Sequence, residues 1–75
     1  MTRGRFDPRA WTKARKTAAV SYAEVYAYLH AKLGDEAPTP TTLRRWAMGQ
    51  GQPLSLLVPL LAEAVGATTS EVTTP

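Results

Sequence analysis

The chain has 75 residues, no cysteine, and nine basic against six acidic residues, for a net charge of +3. A length like this holds one small domain that removes only roughly 60% of its unfolded surface from water, and no disulfide or cysteine-ligated zinc can reinforce it. Helix packing, or dimerisation, must supply the stability.

The charge is unevenly spread. Residues 1–16 carry a net +5 and residues 39–49 a net +2, whereas 17–38 and 50–75 each carry −2. Clustered positive charge favours a polyanionic partner, with an ordinary solvated basic surface as the alternative. No apolar run reaches the roughly 18 residues of a membrane span. The longest, Leu54 to Val65, is broken by Ser55, Pro59 and Glu63. Residues 1–20 lack the apolar core of a signal peptide. The expectation is a soluble, unexported, cytoplasmic protein.

Residues 1–6 read as a flexible basic arm carrying Arg3 and Arg5. Asp7 caps a first helix with Pro8 at its first position, running to about Thr17. Trp11, Ala14 and Ala18 give that helix a narrow apolar stripe, and Arg9, Lys13 and Lys16 line another side. Ser21-Tyr22-Ala23-Glu24 is a capping box, with Val20 and Val25 placed for a hydrophobic staple. The second helix then buries Tyr22, Val25, Tyr26, Leu29 and Leu33 and stops at Gly34. Residues 35–40 form a proline-rich loop.

The third helix spans about Pro40 to Met48. Thr39 is its cap, Pro40 its first residue and Gly49 its left-handed stop. Leu43 and Trp46 share a face for burial, which leaves Thr41, Thr42, Arg44 and Arg45 toward solvent. Hydroxyls at the start of a short helix and arginines in mid-course suit a DNA major groove. A fourth helix covers about Ser55 to Val65, with Pro59 in its first turn, and stops at Gly66. Thr68 or Thr69 can cap one more turn containing Val72, and residues 73–75 read as a frayed tail. The predicted fold is all-α, a small bundle of four to five helices over residues 7–72, with no strand.

The segments Val20–Val25, Pro40–Trp46 with Gly49, Pro53, and Leu61–Gly66 together resemble the lambda repressor/Cro-like (XRE) helix-turn-helix family. The likeness covers about residues 8–72. Two features depart from that pattern. The family joins its second and third helices by a tight turn of roughly 3–4 residues, whereas Gly34–Thr39 is longer, as in some actinobacterial and actinobacteriophage regulators. Many members also pair an arginine of the first helix with a glutamate late in the third. Arg15 matches the first position but Ala47 stands at the second, so Arg15 is either paired with Glu24 or free for phosphate.

The resemblance implies sequence-specific binding of double-stranded DNA by a phage or bacterial transcriptional regulator. It places Pro40, Thr41 and Arg45 at base-reading positions, with Arg44 beside them. Arg45 can donate two bonds to guanine, worth roughly 1–3 kcal/mol of discrimination. Thr39 and Thr42 suit phosphate oxygens at the helix N-terminus. The family geometry nominates Ser21 and Tyr22 as further backbone contacts. Lys13, Lys16, Gln50 and Gln52 are additional backbone candidates. The Arg3 and Arg5 arm either follows a groove or is merely disordered.

Other chemistry finds little support. A single histidine, His30, allows neither a triad nor a metal site, and no glycine-rich phosphate loop is present. No enzyme activity, cofactor or metal is expected. The competing reading is a protein-interaction module, such as an antirepressor, antitoxin or phage adaptor. Its support is the apolar stretch 54–61, where Leu54, Leu56, Leu57, Val58, Leu60 and Leu61 exceed what one short helix face can bury. Leu54, Leu56, Leu57 and Leu60, or the C-terminus, are candidates for a homodimer seam.

Overall fold

In the computed structural model, which describes residues 5–74, the first three helices start where side chains can satisfy their first N–H groups. Asp7 accepts from the backbone N–H groups of Arg9 and Ala10 at 3.0 and 3.3 Å and opens α1 (Pro8–Ala18). This helix ends on Ala19 at φ 56°, a left-handed conformation more often held by glycine. Ser21 Oγ accepts from the Glu24 N–H at 3.1 Å, and Glu24 Oε1 accepts from the Ser21 N–H at 3.0 Å. That reciprocal cap opens α2 (Tyr22–Leu33), which stops at Gly34 with φ 64°. A 3-10 turn over Gly34–Glu36 and an extended stretch to Thr39 form the long connection that the sequence predicts.

Thr39 then opens α3 (Pro40–Ala47), and the chain leaves it through Met48 and Gly49. A 3-10 turn at Ser55–Leu57 leads into α4 (Val58–Ala64). Pro59 lies in the first turn of α4, where a missing N–H costs nothing. A last 3-10 turn, Thr69–Val72, follows Thr68. The molecule is thus mostly helical, a four-helix all-α bundle with a very small sheet.

That sheet corrects two expectations. β1 (Arg5–Phe6) pairs antiparallel with β2 (Thr73–Thr74), Arg5 opposite Thr74 and Phe6 opposite Thr73. The Asp7 N–H extends the closure by donating to the Val72 carbonyl at 2.8 Å. Residues 5 and 6 are therefore not part of a flexible arm, and Thr73 and Thr74 are not a frayed tail. The reason is Phe6, only 5% exposed, whose burial carries its backbone against the C-terminal segment. Arg3 and the rest of residues 1–4, with Pro75, lie outside the described residues.

The core joins all four helices and the closure: Phe6, Trp11, Val25, Leu29, Leu43, Val58, Leu61, Ala62, Val65 and Val72 are buried. Trp11 is its largest member, and its indole N–H donates to the Leu61 carbonyl at 2.9 Å, satisfying a polar atom inside the core. Ala18, predicted on the apolar stripe of α1, is exposed, because that helix is covered only along its Trp11–Ala14 side.

Candidate nucleic-acid interface

α3 is eight residues long, and packing decides its outer face. Leu43 is fully buried and Trp46 and Ala47 pack against the core. Pro40, Thr41, Arg44 and Arg45 are all exposed. Thr41, Arg44 and Arg45 lie at helical spacings of three and four, so they form one polar ridge. The four residues predicted to read bases thus share one accessible face.

The N-terminal end of α3 is built from two hydroxyls. Thr39 Oγ1 accepts from the Thr42 N–H at 3.3 Å, and the two hydroxyl oxygens lie 3.1 Å apart. Their mutual bond uses one hydroxyl proton and leaves the other for a ligand. At the far end, the Gln50 N–H donates to the Arg45 carbonyl at 2.8 Å, and Gln50 and Gln52 are exposed. Ser21 is exposed at the start of α2, but its hydroxyl already accepts the Glu24 N–H.

Two aromatic and basic side chains are committed inward. Tyr22 is half-buried, stacked on Trp11 with ring centroids 6.4 Å apart. The Arg15 guanidinium sits 4.3 Å from the Tyr22 ring centroid and donates to the Val20 carbonyl at 2.9 Å. Arg15 is therefore neither paired with Glu24 nor free for phosphate. The left-handed turn at Ala19 brings the Val20 carbonyl within its reach, and Glu24 is occupied as a cap.

Lys13 and Lys16 are exposed, as expected, and they have company. Together with Arg9, Thr12, Thr17 and Ala47 they line a cleft of about 410 Å³ between α1 and the last turn of α3. Arg9 was not among the predicted contacts. Its spacing of four from Lys13 and seven from Lys16 was the signal that could have found it.

The acids do little to neutralise these cations. Asp7 and Glu24 cap helices, Glu63 accepts from the Tyr28 hydroxyl at 3.4 Å, and Asp35 lies 4.0 Å from His30 Nε2. Glu71 accepts from both the backbone N–H and the hydroxyl of Thr68, at 3.0 and 2.9 Å. Those bonds, the backbone one first, hold its carboxyl below the ordinary glutamate value against a small opposing effect of burial. Among the described residues no lysine or arginine forms an ion pair with an acid. No group of three histidine or acidic side chains is placed to hold a metal among those residues, and none of their helices is long and apolar enough to cross a membrane.

No family model, curated protein or solved structure matches the chain. The candidate site consists of an exposed hydroxyl-and-arginine ridge, hydroxyls at one end of its helix, and a cation-lined cleft at the other.

Proposed function

We propose that this protein binds double-stranded DNA in a sequence-dependent way, as a small transcriptional regulator whose α3 enters the major groove. The observation that carries the reading is the exposed Thr41–Arg44–Arg45 ridge on a capped helix, with no lysine or arginine among the described residues paired to an acid. Unpaired guanidinium groups on a rigid helix meet base edges at no cost in broken ion pairs. Arg45 and Thr41 read bases, Arg44 and Pro40 flank them, and Thr39 and Thr42 hold a phosphate. Gln50, Gln52 and Ser21 are secondary backbone contacts.

The test compares wild type and Arg45→Ala on duplexes selected from a random library and on unselected duplexes. Arg45→Ala should weaken the selected site by roughly 1–3 kcal/mol and unselected DNA much less. Equal weakening on both would make Arg45 a phosphate contact. A wild type that binds no duplex at low salt would end the DNA reading.

A second reading has its own observation. Residues 46–62 contain no charged side chain, and within them Met48, Leu54 and Leu56 are 60%, 67% and 72% exposed. Leu57 and Leu60 are half-buried, so the apolar surface reduces to Leu54, Leu56 and Met48. That surface supports a protein partner or a second copy of the chain. A Leu54→Ser/Leu56→Ser variant should sediment as a monomer where the wild type self-associates. Apolar association should also persist as salt rises, whereas groove binding should fade.

A further inference from the structure

Arg9, Lys13 and Lys16 are separated by four and three residues on one side of α1, so their like charges repel along the helix. No acid lines the cleft they share, and none of the three forms an ion pair among the described residues. Thr17 adds an exposed hydroxyl, whereas the Thr12 Oγ1 is shut from water and faces away from the open cleft. Ala47, the last residue of α3, forms the opposite wall and presents no charge. An anion seated here turns three mutual repulsions into three attractions and meets the Thr17 hydroxyl as well.

We propose that this cleft holds a phosphate of the DNA backbone, as a second anchor at the end of α3 opposite Thr39. The proposal rests on the DNA-binding reading above and adds to it a docking geometry. An eight-residue helix is about 12 Å long, and the major groove is about 12 Å wide. The Thr39 and Thr42 hydroxyls stand at one end of this helix and the α1 cleft at the other, so that in the proposed docking each end meets one of the two backbones that wall the groove. The Thr41–Arg44–Arg45 ridge lies between them, over the base edges.

The test uses the full chain in two arms. In the first, inorganic phosphate is titrated into the free protein at fixed ionic strength, with chloride as control, and the NMR signals of Arg9, Thr12 and Thr17 are followed. Saturable shifts confined to these residues, absent in Lys13→Gln/Lys16→Gln, are expected. Shifts equal to those with chloride would overturn the site. In the second, duplex affinity is measured against salt for wild type, Lys13→Gln/Lys16→Gln and Arg45→Ala. The double variant should lose about tenfold in affinity on selected and unselected duplexes alike, and the slope of log affinity against log salt should fall by about one. Both lysines are exposed, so circular dichroism should report an unchanged fold.

If the wild type binds DNA but the double variant keeps its affinity and slope, the cleft proposal fails and the DNA reading stands. If phosphate saturates the cleft but no duplex binds, the backbone is overturned as the source of the phosphate, and the DNA reading falls with it.

Discussion

Trp11 shows what a single residue does in a core this small. It is 1% exposed, and its indole N–H reaches the Leu61 carbonyl, fifty residues away in sequence. Trp11→Phe keeps much of the apolar area but leaves that carbonyl unpaired, so urea denaturation should show a loss of about 1–3 kcal/mol. Ala19 is the opposite case, a residue whose backbone is held at φ 56° against its preference. Ala19→Gly should relieve about 1 kcal/mol of strain, partly offset by the greater freedom of glycine in the unfolded chain. A small rise in the urea midpoint is the expected reading. Arg15 belongs beside these two: its place on Tyr22 and the Val20 carbonyl makes it a structural residue, so Arg15→Gln should alter stability more than any DNA affinity.

At the scale of elements, caps dominate. Thr39 starts an eight-residue helix that is too short to hold itself together in water. Thr39→Ala should cost about 1 kcal/mol, and it should also remove a donor from the end of α3. The last turn depends on Glu71, whose carboxylate is stabilised by the Thr68 N–H and hydroxyl and so titrates below its ordinary value of 4.5. A group with a depressed folded value adds stability that is present above the unfolded value and is lost as pH falls through the folded one. Wild type should therefore exceed Glu71→Gln in urea midpoint at neutral pH, and the gap should narrow as the pH falls below the ordinary glutamate value of 4.5. A gap unchanged across that range would mean that the turn does not need the charge. These caps were readable in advance because each joins residues two or three apart, as at Asp7, Ser21 and Thr39.

For the whole molecule, closure and charge matter most. A 75-residue domain has a net stability on the order of 4–11 kcal/mol, and truncating a buried phenylalanine costs roughly 3–5. Phe6→Ala should thus remove a large share of the total, seen as a marked drop in the thermal midpoint by circular dichroism. The same variant should loosen the Arg5–Thr74 pairing, since two residues on each side cannot hold a ribbon without the core beneath. The electrostatic layout is also a property of the whole. With Asp7, Glu24 and Glu71 engaged as caps and Glu63 by the Tyr28 hydroxyl, Arg9, Lys13 and Lys16 of α1 and Arg44 and Arg45 of α3 stay open to a polyanion.

Residue order alone specified the four helices, the caps that start the first three, the long Gly34–Thr39 connection, and the outward face of Thr41, Arg44 and Arg45. All of these depend on periodicity and on contacts within a single turn, which the order of residues states directly. Packing put Phe6 in the core, spent Arg15 on Val20 and Tyr22, left Leu54 and Leu56 outside, and set Arg9, Lys13 and Lys16 in a cleft with Ala47. Each of those outcomes depends on how one element docks on another. Arg5 and Thr74 are 69 residues apart, and no local pattern marks them as partners. What selects them is the burial of Phe6 and Val72 in one shared core, a free energy that exists only once the helices have packed.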